Sequence, residues 1–331
     1  MGYYLFHGGS ADHSSEDRMR GICRLLPEPP EIRSNGWRED WRYGLAELAS
    51  LRRGVCGAAG WGDWGITACP YLGAEIRKKG GRAVLWGWVP GTDKLLPSQI
   101  RQLRQFYRII LPAQQSLALL QKLGIRRSVQ LGPDPSILVE RRLRGLSGNF
   151  RRDTVGLCVR PAAERHEQEG GLLFRCYCHL IRWILKNTDW HIALIPYCVK
   201  NGCNDRLLQL ALKGQFSAEE RVFCREDGDC QVLRGDLSLC RCCVGTAGAL
   251  AGWSCGVPGL CIGASGRASA LERTLFGTSG EAVVRVRQLQ REEDLTAIFL
   301  RFLHREDALR GWLEVSLPRC RQWAQQWQWC G

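Results

Sequence analysis

The chain lacks most of the features that would place it quickly. Among its 331 residues no apolar run approaches the ~18 residues that a membrane span requires. The first residues, "MGYYLFHGGSADHSSED", carry neither the basic nor the apolar region of a secretory signal, so a cytoplasmic location is expected. There is no G-x-x-x-x-G-K-[ST] run, and "GGSADHSSE" does not give G-x-G-x-x-G, which argues against a nucleoside triphosphatase and a common dehydrogenase. Zinc-finger spacing, an RNA-recognition signature and a long basic tail are missing too, and no nucleic-acid partner is expected.

Cysteine, by contrast, is plentiful. The chain has 17, an odd number, most of them inside apolar helix and strand patterns such as "FRCYCHL" and "GLCIG". That reads as reduced, buried thiols rather than a disulfide framework. Cys240 and Cys243 have C-x-x-C spacing, but no second ligand pair accompanies them, so no metal is expected. Lys and Arg number 46 against 33 Asp and Glu, a formal charge of +13. The arginines are scattered, as in "RQLRQFYR" and "VVRVRQLQR", which fits attraction to small anions at least as well as to a polymer.

Helical and strand patterns alternate almost from end to end, the signature of parallel sheets covered by helices. "YYLFH", "RAVLWGWV", "RIIL" and "SVQLG" read as strands of a first half, with helices over Ser15 to Leu26, "PSQIRQLRQFY" and "QQSLALLQKLG". "GVCGAAGWGDWG" reads as a loop from its glycine content. After the polar stretch Arg141 to Asp153 the pattern restarts with "TVGLCV", a helix in "GLLFRCYCHLIRWILKN", and strands in "WHIALIPY", "RVFC", "RCCVG", "GLCIG" and "AVVRV". From about Glu292 the chain reads as helical, with Leu295, Ile298, Phe299, Phe302 and Leu303 on one stripe. Trp312, Trp323 and Trp327 read as packing anchors; contact of this helix with a membrane surface is the more elaborate alternative.

The expected fold is therefore α/β, two Rossmann-like domains with a central cleft followed by C-terminal helices. Its divisions are 1–150, 151–290 and 291–331, with the substrate in the cleft.

Candidate site residues follow from strand ends. Gly8, Gly9 and Ser10 stand at the carboxyl end of the first strand, and His13, Ser14, Ser15 and Glu16 lead into a helix whose free N–H groups suit an anion. His13 is the candidate for proton transfer and Glu16 the candidate acid; a tight turn with a serine cap is the alternative for the whole segment. Arg267 follows a Gly-rich turn after a buried strand and suits anion contact, and Arg160 ends the "LCVR" strand. Asp205 heads a helix, where capping explains it as well as substrate binding does. Asp134 in "GPDPS" reads as a turn residue, and His179 and His191 as structural. The small-residue stretch "VGTAGALAGWS" puts Thr246 where an α/β protein aims reactive side chains.

In order and spacing, "YYLFHGGSADHSSEDRMRGI", "EDWRYGLAEL", "VLWGWVPG", "LGPDPSILVE", "VGLCVRP", "HIALIPYCVKNGCNDRLLQL" and "LSLCRCCVG…CGVPGLCIGASGRASALERTLFG" resemble the bacterial polysaccharide pyruvyl transferase family, from residue 3 to about 277. The resemblance implies a glycosyltransferase-B-like fold. It also implies transfer of an enolpyruvyl unit from phosphoenolpyruvate, with no further cofactor, onto a sugar of a cell-envelope polysaccharide or its precursor. It keeps Gly8, Gly9, Ser10, His13, Glu16, Asp205, Ser265 and Arg267 as candidates, His13 and Glu16 catalytic and the others, with Arg160 and Thr246, substrate-binding. The chain departs from the family where Ala247 replaces a histidine and a neighbouring arginine is deleted. Two alternatives stand beside it: a non-catalytic relative that binds a sugar or anion, and a sugar-nucleotide glycosyltransferase on the same architecture.

Overall fold

In a computed structural model the described residues are 2–7, 31–34, 54–59, 77, 82–90, 94–143, 150, 153–159, 171–196, 205–226, 230–245, 247–263, 266–278 and 280–325. The chain divides into two compact units: Met1–Ala11, Ser15–Val139 and Arg319–Gly331 in unit 1, Asp12–Ser14 and Glu140–Pro318 in unit 2.

In unit 1 the strands are β1 (Gly2–His7), β2 (Glu31–Ser34), β3 (Gly54–Ala59), β4 (Ala83–Trp86), β5 (Arg108–Leu111) and β6 (Val129–Leu131). All pair parallel, in the order β2-β1-β3-β4-β5-β6. The expectation of a loop at "GVCGAAGWGDWG" is thus corrected for its first half, because β3 lies between β1 and β4. A ladder on both sides holds extended backbone whatever the local glycine content, and tertiary pairing overrides propensity. Helices α1 (Pro97–Leu103) and α2 (Gln114–Lys122) cover the sheet. Pro97 begins α1, where its fixed φ suits the first turn, and the Gln99 side chain accepts the Leu96 N–H at 2.7 Å. Leu85, Trp88, Leu103, Phe106, Ile109, Leu111, Leu120, Ile125 and Val129 form the core of this half. Asp134 is the expected turn residue: its carboxylate accepts from the Ser136 N–H at 3.0 Å and the Ser136 hydroxyl at 2.6 Å.

In unit 2 the chain runs β7 (Thr154–Cys158), α3 (Leu172–Asn187), β8 (His191–Leu194), α4 (Asp205–Gln215), β9 (Val222–Cys224) and α5 (Cys230–Ser238). It continues with β10 (Cys242–Gly245), α6 (Ala247–Ser254), β11 (Gly259–Ile262), α7 (Gly266–Phe276) and β12 (Val283–Val284). The strand order is β12-β11-β10-β7-β8-β9, again all parallel. Right-handed crossovers put α3 and α4 on one face and α5, α6 and α7 on the other. Contacts between α3 and α4, and between α5 and α6, agree. With both faces covered, β7, β10 and β11 are buried at every residue, which is why they read as unbroken apolar runs.

Helix α3 turns Leu173, Cys176, Tyr177, Leu180, Ile181 and Ile184 inward, the spacing of one helical face, and α8 (Asp294–Leu303) packs on it through Leu295, Phe299 and Phe302. His179 is structural as expected, bonded to the Thr296 hydroxyl at 2.8 Å. The final helix, α9 (Glu306–Gln325), is anchored at the amino edge of the unit 2 sheet. There Arg241, just before β10, bonds Glu306 at 2.9 Å and Asp153 at 3.2 Å and lies over the Trp190 ring, while Arg310 donates to the Arg241 carbonyl at 2.7 Å. The tryptophans of this helix are not all anchors. Trp312 and Val315 are about half exposed because they lie off the face that carries buried Leu309, Leu313 and Leu317, while Trp323 is half-buried and Trp327 lies outside the described residues.

Cys158, Cys176, Cys178, Cys224, Cys240, Cys242, Cys243, Cys255, Cys261 and Cys320 are free thiols, and most are buried. Burial pushes the Cys261 thiol from the ordinary 9.0 up to about 12 and Cys176 up to about 11. Below pH ~9 both folded and unfolded chains keep these thiols protonated, and their contribution to stability is fully present. As pH rises through 9 toward 12 the unfolded chain ionises first, and that stability is lost. The urea midpoint should therefore fall between pH 8 and pH 10.5, and fall less in Cys261→Ala; equal slopes would contradict the assignment.

Glu272 of α7 is the other buried fixture. Its carboxylate accepts four backbone N–H groups, from Gly280 at 2.9 Å, Glu281 at 2.9 Å, Ala282 at 2.7 Å and Val283 at 3.1 Å, and so fixes the turn into β12. Glu272→Ala leaves those donors without their acceptor and should cost roughly 2 kcal/mol or more of unfolding free energy in urea titration.

Candidate functional site at the carboxyl edge of the unit 2 sheet

The site is built where β7 and β10 lie side by side. From β7 the chain crosses to β8 in one direction, and from β10 it crosses to β11 in the other. Their carboxyl ends therefore open a crevice, the usual ligand position in an open parallel sheet. Cys158 ends β7 and Gly245 ends β10, paired in register.

Backbone approaches closely here. Gly245 has φ +139°, and a Cβ on it would lie 2.2 Å from the Cys158 carbonyl oxygen. In the first turn of α6, a Cβ on Gly248 would lie 2.0 Å from the Cys158 sulfur. Only glycine fits either place, so the small residues that left the crevice bare of side chains are there to bring α6 onto the sheet.

Charged groups stand at this edge and around α5. Asp205 begins α4, the crossover helix from β8 to β9, and is 1% exposed. Burial pushes the Cys158 thiol well up, with Cys243, Asp205 and Asp236 adding to the effect, so this thiol is neither a thiolate nucleophile nor a ready metal ligand. Arg225, after β9, donates its N–H to the Leu194 carbonyl at 2.9 Å and pairs with buried Asp236 at 2.7 Å. Its guanidinium lies over the Phe150 ring. Arg234 of α5 is fully buried and donates to the Ser254 hydroxyl, tying α5 to α6. Arg267, in the first turn of α7, is buried close enough to Cys261 to lower its thiol pKa against the stronger effect of burial. Among the described residues no group of three His, Cys, Asp or Glu is placed to hold a metal ion, and no helix is long and apolar enough to cross a membrane.

Of the residues singled out from sequence, Asp205 and Arg267 stand at this carboxyl edge. Gly8, Gly9, Ser10, His13, Glu16, Arg160, Thr246 and Ser265 lie outside the described residues. Sequence reading passed over Cys158, which looked like one more core thiol, and Gln209. The signal for Gln209 was present: it stands four residues after Asp205, on the same helical face.

No protein-family model and no curated protein matches the sequence. Solved structures do match. A Listeria monocytogenes protein described as a UDP-N-acetylglucosamine 2-epimerase has a TM-score of 0.68 at 11% identity, over 98% of this chain and 94% of its own. The Neisseria meningitidis UDP-GlcNAc 2-epimerase bound to UDP-GlcNAc has a TM-score of 0.56 at 10% identity, covering 98% of each chain. An E. coli structure, described as trehalose-6-phosphate bound with UDP-2-fluoro glucose, has a TM-score of 0.57 at 10% identity, over 95% of this chain and 84% of its own. The fold is thus the two-domain, glycosyltransferase-B-like α/β fold. The resemblance to polysaccharide pyruvyl transferases is corrected: no family model supports it, and the structural neighbours include UDP-GlcNAc 2-epimerases and other proteins of the glycosyltransferase-B-like fold. Its motifs are strand, turn and helix segments of the kind that Rossmann-like units produce repeatedly, so their order reports the fold and not the chemistry.

Gly248→Ala should destabilise the protein by about 1–3 kcal/mol through overpacking against Cys158. Adding Cys158→Gly should recover part of that loss, and additive effects in the double-mutant cycle would show that the two do not meet.

Proposed function

We propose that this protein is a sugar-nucleotide enzyme that binds a uridine diphosphate sugar at the carboxyl edge of the unit 2 sheet. The observation that carries the reading is the crevice between β7 and β10, where Gly245 and Gly248 clear the backbone and helix amino ends converge. Its support comes from neighbours of the same fold that hold UDP-GlcNAc and UDP-2-fluoro glucose. The amino end of α7, with Arg267 in its first turn, suits the diphosphate, since the positive end of a helix dipole and a guanidinium both favour an anion. Departure of a nucleoside diphosphate from the sugar is the step such an anion site assists, because negative charge builds on the leaving oxygen. Glycosyl transfer is the first reading of the reaction. Epimerisation of the same donor is the second, favoured by the near full-length match to the epimerases.

Thermal unfolding with UDP-GlcNAc, UDP and pyrophosphate tests binding. At ~100 times its dissociation constant a ligand stabilises by ~2.7 kcal/mol, so the midpoint should rise by several degrees with UDP-GlcNAc. No rise with any uridine nucleotide would overturn the reading. Incubation with UDP-GlcNAc then separates the reactions: UDP release that depends on an acceptor supports transfer, and a C2-inverted sugar without an acceptor supports epimerisation.

A further inference from the structure

The Gln209 side chain is an amide that the fold does not use. It lies on α4, is 1% exposed, and its Nε2 has no hydrogen-bond partner. A buried amide donor is normally paired, so an orphan calls for a ligand or an ordered water to complete it. Its position favours the ligand. Gln209 follows Asp205 by four residues, which puts both on one face of α4, and helical side chains lean back toward the amino end of their helix. The amide therefore reaches over the turn that carries Asp205. That turn opens α4, the crossover helix from β8 to β9, and so stands on the carboxyl side of the sheet, in which β8 is the neighbour of β7. Asp205 is near enough to the end of β7 to act on the Cys158 thiol.

We infer that Gln209 donates a hydrogen bond to a ring hydroxyl of the bound sugar nucleotide, beside the Asp205 carboxylate. The inference rests on the sugar-nucleotide reading. The chemistry of the pair selects the hydroxyl: an amide N–H donates to a hydroxyl oxygen, a carboxylate accepts a hydroxyl proton, and the carboxylate charge repels a diphosphate. The diphosphate then belongs at the α7 end of the crevice edge, away from α4. Ribose and hexose offer the same group, and the ligands chosen for the test distinguish them.

The test is calorimetric titration of wild-type, Gln209→Leu and Gln209→Met protein with UDP-GlcNAc, UDP and pyrophosphate. Both variants roughly keep the side-chain volume and lose the donor, so one that folds suffices. The expected result is a loss of about tenfold or more in UDP-GlcNAc affinity, of the size seen when a built hydrogen bond to substrate goes unmade, with pyrophosphate unaffected. An equal loss for UDP assigns the hydroxyl to the ribose, and an unchanged UDP affinity assigns it to the hexose. Unchanged UDP-GlcNAc affinity, with a Gln209→Leu protein as stable as wild type or more so, would mean that the amide only holds water and would overturn the inference alone. An equal loss for pyrophosphate would overturn it as well. A wild type that binds neither uridine nucleotide would remove the sugar-nucleotide reading first, and this inference with it.

Discussion

Unit 2 depends on how closely α6 approaches the sheet beneath it. Glycine on one surface meets cysteine on the other: Gly248 over Cys158, Gly252 over Cys243, and Gly156 of β7 against Cys240 and Cys243. A thiol fills a space that a glycine leaves and that a branched side chain would overfill, so the cysteine richness of the chain is a packing solution. The same approach brings the β7 and β10 ends together and clears the crevice. Catalytic-looking sequence is absent from "VGTAGALAGWS" because much of the stretch is occupied with packing: Trp253 on its far side donates to the Gly259 carbonyl at 2.8 Å and stacks edge-on against Phe276.

Charge is used in an equally local way. The formal excess of +13 suggests a surface for anions, yet several of the best-placed arginines are spent inside unit 2. Arg225 neutralises Asp236, Arg234 joins α5 to α6, and Arg241 gathers Asp153, Glu306 and Trp190 at the amino edge. Buried or half-buried cations need such partners, because an unpaired charge in a low-dielectric interior is costly. The sheet thus has its structural charges at the amino edge and around α5, while Asp205 and Arg267 stand with the helix amino ends at the carboxyl edge.

Much of the fold was legible in sequence because strands buried on both faces write themselves as apolar runs. "TVGLCV", "HIALIPY", "RCCVG" and "GLCIG" became β7, β8, β10 and β11, and the period of α3 matched its buried face. Where the reading failed, the deciding contact was distant. "GVCGAA" is a strand because β1 and β4 flank it, and Trp312 is exposed because it lies off the face of α9 that carries the buried leucines. The site was less legible: Asp205 and Arg267 stood out by their place at helix starts, but Cys158 and Gln209 gain meaning only from what lies beside them.

By itself the sequence determined the alternation of helices and strands, and with it the class of two parallel-sheet units, because side-chain period and burial are local properties of the chain. Tertiary structure alone decided which strand ends adjoin, which arginines are already paired and which buried amide is left without an acceptor. Those are relations between residues far apart in sequence, and no local pattern encodes them. The same holds for the choice of fold: short motifs repeat wherever strand, turn and helix repeat, and only the whole arrangement of the chain set it beside the glycosyltransferase-B-like folds.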